Sequence, residues 1–354
     1  MADRLLLGTR KGLVTLRRES GSWRVVATDF LGDAVSMVLA HGKTLYAALA
    51  LGHFGVKLRR SDDDGKSWQE VAAPAFAKQA DGTDGPSVSL IWELVLGKDG
   101  TLWAGTIPGG LFRSGDRGAS WSLVESLWNA PERKEWSGGG YNDPGIHSVC
   151  VDPRDPRKLS IGVSTGGVWL SEDAGASWRL TGRGMYAEYS PPASREEPNQ
   201  QDVHRLVQSP SQPETFWVQH HNGVFRSTDG ARSWSEVTAI RPSKFGFAVA
   251  THPRQPDTAW FVPAVKDETR VPVGGALAVA RTRDGGRSFE ELREGLPQRD
   301  AFDLIYRHGL AVDETGDRLA MGSTTGHLWI TESGGDAWRL AAGNLPPIAC
   351  VSFG

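Results

Sequence analysis

Residues 171–178 read SEDAGASW, and close variants return along the chain: SDDDGKSW at 61–68, SGDRGASW at 114–121, STDGARSW at 227–234, TRDGGRSF at 282–289 and TESGGDAW at 331–338. A degraded copy, LRRESGSW, ends at Trp23. The aromatic anchors therefore fall at 23, 68, 121, 178, 234, 289 and 338, a period of about 50 residues, which is that of propeller repeats. Each element of the motif has a local job. The hydroxyl and the carboxylate accept backbone N–H bonds across a tight turn, glycine supplies positive φ where the chain reverses, and the aromatic wedges between neighbouring sheets. Three copies depart from the pattern: Ala231 stands where glycine is expected, Phe289 replaces tryptophan, and Ser333 replaces aspartate. Identical turns repeated around a ring serve folding rather than calcium or sugar binding, so the aspartates are read as hairpin locks.

Strands flank every copy. IHSVCVD, KLSIGVS, GVWL and WRLT surround the 171–178 turn, and VHRLVQS, TFWVQH, GVFRS and WSEVT surround the next one. Their alternation and β-branched content predict four short antiparallel strands per repeat. Seven such units make an all-β, seven-bladed β-propeller, with residues 1–354 as a single domain. RLLLGT, GLVTLR and WRVVA supply only three strands of the first blade, and IACVSF at 348–353 supplies its missing innermost strand. The two ends would then share one blade and close the ring.

Composition narrows the function. A net charge of -3 without any basic stripe argues against nucleic acid. No segment approaches the roughly 18 apolar residues of a membrane span. The N-terminal apolar run is too short for a secretory signal, and two cysteines give no disulfide framework, so the cytoplasm is the expected compartment. Cys150 and Cys350 fall on inner strands of different blades and are expected to remain free thiols. The run Gly138-Gly139-Gly140 precedes no helix and is a turn, not a phosphate loop.

The repeated turns resemble the Asp-box (BNR) repeats of the sialidase-like propeller family over almost the whole chain. FGFAVATHP at 245–253, WFVPAVKDETRVP at 260–272 and GDRLAMGSTTGHLWITESGGDAW at 316–338 are similar to bacterial single-propeller proteins labelled glycosyl hydrolase or exo-sialidase-like. The resemblance implies the fold and a hydrolase-like setting. It carries no catalytic residue across, because the sialidase Arg-Ile-Pro signature is missing; Ile240-Arg241-Pro242 has those letters in another order.

Antiparallel order sorts the polar residues by face. Counting strands from the axis outward, the repeated turns join the third and fourth strands and lie on the bottom. The long connectors 73–87, 125–145, 182–202 and 264–275 lie on top, and long loops on a rigid scaffold are where binding and catalysis concentrate. Aligning the inner strands places His147, His204 and His308 at equivalent positions near the top, with Trp92, Phe247 and Ser36 in the other blades. Imidazoles converging from different blades suit Zn²⁺, Fe²⁺ or Mn²⁺ with a position left for water.

The expectation is a metal-assisted hydrolase or lyase acting on a small polar substrate, sugar-like or carboxylate-bearing, in an axial top-face pocket. His147, His204 and His308 would hold the ion, and no organic cofactor is implied. Glu188 or Asp202 would handle the proton, with His220 as acid/base or fourth ligand. Arg307, Lys266, Trp136 and Glu93 would bind substrate. His221 and His53 reach the same face, and Trp128, Tyr141, Tyr186 and Tyr189 lie on its connectors, where they would stack on a ring or anchor the loops. Two alternatives stand beside this one. The first is a metal-independent glycoside hydrolase using a carboxylate pair such as Glu188 and Asp202. The second is a non-catalytic propeller that binds a protein partner.

Overall fold

The computed structural model of the chain describes residues 3–78 and 82–354; part of the 73–87 connector, residues 79–81, lies outside the described residues. Seven four-stranded antiparallel sheets follow one another along the chain. The fourth blade is representative, with strands Ile146–Val151, Leu159–Val163, Gly167–Ser171 and Arg179–Thr181 in spatial order from the axis outward. The innermost strand of each blade packs against the innermost strands of its two neighbours, and this succession of contacts returns to its starting point. Closure is made by Ile348–Phe353, which pairs antiparallel with Arg4–Thr9 and becomes the innermost strand of blade 1. Among the described residues no helix is long and apolar enough to cross a membrane.

The apolar pattern explains the stacking. Every residue is buried in the second strands Leu102–Ile107, Leu159–Val163, Phe216–His220 and Ala259–Pro263, because a neighbouring blade covers each face. The core is accordingly a series of layers between blades. One layer joins Leu45, Ala47 and Leu58 of blade 2 to Ile91, Leu102 and Phe112 of blade 3. Each such large aliphatic or aromatic side chain contributes about 1.5–3 kcal/mol on burial. Glycine sets the closest approach: a Cβ on Gly105 of blade 3 would sit 2.4 Å from the Ile146 carbonyl oxygen of blade 4.

The repeated turns have one hydrogen-bond pattern. Ser61 Oγ donates to Asp63 Oδ1 (2.8 Å) and accepts from the Gly65 N–H (2.9 Å). Asp63 in turn accepts from the N–H and the hydroxyl of Ser67, at 2.9 and 2.6 Å. The same bonds recur around Asp116, Asp173 and Asp284. In the last copy Ser333 Oγ takes over the aspartate's role by accepting the Ala337 N–H at 3.1 Å. Ala231 holds φ +61° where its counterparts are glycine, and its methyl group is fully buried beside Trp234. The closing aromatics reach the preceding blade, as Trp121 does by donating to the Ala72 carbonyl at 2.8 Å.

Inner strands carry a second repeated feature. Pairing slips between Val35 and Met37, Ile91 and Glu93, Ile146 and Ser148, Val203 and Arg205, and Gly246 and Val249. The extra residues are Ser36, Trp92, His147, His204 and the pair Phe247–Ala248. These are β-bulges, which bend a strand and re-aim its side chains. All the positions that align in sequence, except His308 of blade 7, are thus bulge positions near the top of the ring.

Serine hydroxyl and N–H donors hold the carboxyls of Asp63, Asp116, Asp173 and Asp284 at about 2. In the unfolded chain these groups return to about 4. Their contribution to stability is therefore complete above about pH 4 and disappears as pH falls towards about 2. Urea midpoints will drop across that window. A variant carrying Asn at all four positions will start less stable at neutral pH and show a shallower decline; an equally steep decline would assign the acid sensitivity to other groups.

Candidate active site

Asp202 opens the inner strand of blade 5, Val203–Gln208, and its backbone is fixed on both sides. Its N–H donates to Tyr189 Oη at 2.9 Å, Tyr189 Oη donates to the Gln200 carbonyl at 2.7 Å, and its own carbonyl accepts the His221 N–H at 3.0 Å. The residue is 6% exposed. Oδ2 lies 3.3 Å from His221 Nδ1 and 3.7 Å from His204 Nε2, while Oδ1 is buried with no hydrogen-bond partner. Burial alone would raise this carboxyl, but His204, His221 and Arg307 outweigh it and hold Asp202 well below the usual carboxylate range. The same carboxylate raises His221 above an ordinary imidazole, against the opposing effect of partial burial.

Two rings shape the surroundings. The bulged His204 stacks on Phe247, centroids 4.4 Å apart, and its Nδ1 is 2.7 Å from the Gly246 carbonyl oxygen. His221 packs edge-on against Tyr189 and Phe245. Arg307 completes the cluster. Its guanidinium sits over Trp92 at 4.8 Å and Phe247 at 5.4 Å, its Nε is buried without a partner, and the residue is 7% exposed. Arg270, hydrogen-bonded to Asp267, lies over Phe247 as well.

A second polar cluster crosses the axis. Arg205 Nη1 donates to Glu93 Oε2 and to the His147 carbonyl oxygen (2.6 Å), and it lies 2.6 Å from His308 Nε2, which itself faces the His147 carbonyl oxygen at 2.9 Å. It thereby ties blade 5 to blades 3, 4 and 7. Burial opposes ionisation of Glu93, yet Arg205 and His308 keep it below the usual range, while burial and Arg205 lower His308. An axial cavity of about 350 Å³ borders this cluster, with Met37, Leu39, Val249 and Leu310 among its apolar lining.

The aligned histidines are thus not brought to one point. His147 is fully buried against Trp92, with Nδ1 at 3.0 Å from Ser148 Oγ; His204 faces Asp202; His308 faces Arg205 and Glu93. Among the described residues, the three potential metal ligands that do meet are Asp202, His204 and His221, with ligand atoms all within 4.8 Å of one another. Other expected site residues lie elsewhere. His220 is buried against Phe225, accepts the Asn222 N–H, and is pushed down to about 3 by burial, so it remains neutral inside the blade. Glu188 is exposed and paired with Lys244 at 2.8 Å. Lys266 is exposed and pairs with Glu268. Trp136 wedges against Trp169 in the core between blades 3 and 4. Glu93 belongs to the axial cluster. Cys150 and Cys350 are free thiols, and burial pushes both up to about 12.

Comparisons with known proteins find likenesses at low identity. No protein-family model matches the chain. It is 25% identical over 240 residues to an oligoxyloglucan-reducing end-specific xyloglucanase of Emericella nidulans, covering 65% of this chain and 27% of that protein. The chain thus spans about a quarter of that relative's length. Among solved structures, the GH74 xyloglucanase of Xanthomonas campestris superposes with a TM-score of 0.66 at 17% identity, over 97% of this chain and 53% of that one. YCF48 bound to D1 peptide superposes with a TM-score of 0.57 at 16% identity, over 93% and 89%. Both likenesses establish the propeller fold.

Removing one member of a buried ion pair leaves the other uncompensated, at about 3–5 kcal/mol. Arg205→Leu will lower the unfolding free energy by that order in denaturant titrations, and adding Glu93→Leu will recover a large part of it. A loss below about 1 kcal/mol in the single variant would show that the axial cluster is not a structural tie.

Proposed function

We propose that the chain is a hydrolase acting on a sugar-like substrate that bears an anionic group, bound at the top mouth of the ring. The observation that carries this reading is Arg307: a buried guanidinium over Trp92 and Phe247, whose Nε has no hydrogen-bond partner among the described residues, beside the Asp202–His221 pair. A buried cation left with unused donors is a site for a carboxylate or phosphate. The flanking aromatic faces offer sugar rings an apolar platform. The similarity to xyloglucanases supports a glycosidic substrate.

Such a reaction needs a group that makes water nucleophilic near neutral pH. Asp202 and His221 are positioned to do this, Asp202 as the ionised anchor and His221 as the partner that gains basicity from it. Asp267, which acts electrostatically on His221 and is held by Arg270, is the second carboxylate on this face.

The test is turnover of 4-nitrophenyl glycosides in neutral and carboxylate-bearing forms, together with xyloglucan oligosaccharides. We expect release from an acidic member of the panel, a drop in kcat of at least about 10²-fold for Asp202→Asn, and a rise in KM with smaller change in kcat for Arg307→Met. No turnover of any member above buffer would overturn the assignment. Preference for neutral glycosides, unaffected by Arg307→Met, would overturn the role of Arg307.

A further inference from the structure

We infer that Asp202, His204 and His221 form a binding site for one divalent transition-metal ion, of the Zn²⁺, Mn²⁺ or Fe²⁺ class. Its use in hydrolysis rests on the reading above; its binding stands on the geometry alone. One carboxylate oxygen and two imidazole nitrogens lie within 4.8 Å of one another, with Asp202 Oδ2 at 3.3 Å from His221 Nδ1 and 3.7 Å from His204 Nε2. Three ligands bonded at about 2.0–2.2 Å to one ion stand roughly 3–3.5 Å apart, and the two carboxylate–imidazole distances, 3.3 and 3.7 Å, are already close to that.

Hydrogen bonding within the cluster leaves a gap that a cation fills. His204 Nδ1 faces the Gly246 carbonyl oxygen at 2.7 Å, and only an N–H can face a carbonyl at that distance. With the proton on Nδ1, Nε2 is the nitrogen turned towards Asp202 Oδ2, at 3.7 Å and beyond hydrogen-bond reach, which leaves it available to bond an ion. Such a bond from the remote nitrogen to a backbone carbonyl is how metal-binding histidines are oriented. Independently, Asp202 Oδ1 is buried without any partner on a residue that is 6% exposed. An ion beside it would compensate that desolvated charge. Two imidazoles and one carboxylate suit transition metals rather than Ca²⁺ or Mg²⁺, which favour all-oxygen shells, and they leave positions open for water. Arg307 is the neighbouring group for an anionic ligand. An ion here would lower the pKa of its bound water towards about 7.

The sequence pattern alone suggests His147 and His308 as partners of His204; His147 packs against Trp92 and His308 faces Arg205 and Glu93 instead, so His147 serves as a control. The full chain, stripped with dipicolinate and dialysed, is to be titrated with Zn²⁺ and with Mn²⁺ by calorimetry, with metal content read by elemental analysis. One equivalent per chain is expected. His204→Gln and His221→Gln should each weaken binding by at least about 100-fold, beyond the roughly 10- to 100-fold seen when only an outer-shell partner is lost. His147→Gln should bind as the unaltered chain does. Circular dichroism checks the fold of each variant. A metal-dependent rise in the melting temperature of the unaltered chain, lost in His221→Gln, supports the site without reliance on any one variant's stability. Failure of the unaltered chain to take up an equivalent of either ion, or of added Fe²⁺ under anaerobic conditions, would overturn the inference. Equal uptake by His204→Gln and His221→Gln would overturn the ligand set. Stoichiometric uptake with no glycoside turnover upholds the ion and removes the hydrolase reading; turnover by a chain that takes up no metal does the reverse.

Discussion

The architecture depends on the hydrogen bonding of Ile348–Phe353 to Arg4–Thr9. Each inner strand leans on the two beside it, so the axis exists only when the circle of seven is complete. The two paired segments are separated by nearly the whole chain, and closing so long a loop is entropically costly for few bonds. The cost is offset by the layers between blades, which bury both faces of the second strands. Bridges across the same seam add to this: Arg18 donates to Glu332 at 2.7 and 3.0 Å, linking blade 1 to blade 7. Closure also decides which residues can matter chemically, because it gathers the tops of the inner strands and the connectors beside them around one mouth.

The bulges then divide those side chains. In an unbroken strand, residues at equivalent positions in seven blades would point the same way. An inserted residue breaks the alternation, and each blade resolves it against its own neighbours. His147 turns to Trp92, His204 to Asp202, and Arg205 is carried into the axis to meet Glu93 and His308. The outcome is two polar clusters at the centre of the ring, one around a buried arginine whose Nε has no hydrogen-bond partner and one tied together by Arg205.

This explains what could be read from the residues and what could not. The seven blades, their strands and the closing strand follow from a turn motif whose spacing and hydrogen bonds are local, so sequence carries them almost completely. The alignment of Ser36, Trp92, His147, His204 and Phe247 was legible for the same reason. Their directions were not, because the register shift depends on the neighbouring strand. The His220–His221 pair illustrates the scale of the problem. His220 is the last paired residue of its strand and faces the blade interior; His221, one residue on, leaves the sheet and meets Asp202. A single step along a strand exchanges inside for outside. Arg205 was invisible as a central residue, since it follows a histidine already assigned to the axis.

Arg205 also has a mechanical consequence. One guanidinium holds groups from three blades besides its own, so the blades cannot pivot independently about the axis without stretching its bonds. It acts as the hub of a wheel whose rim is already closed. The residues just above it, Asp202, His204 and Arg307, are therefore held in place before any ligand arrives, and little ordering entropy remains to be lost when one binds.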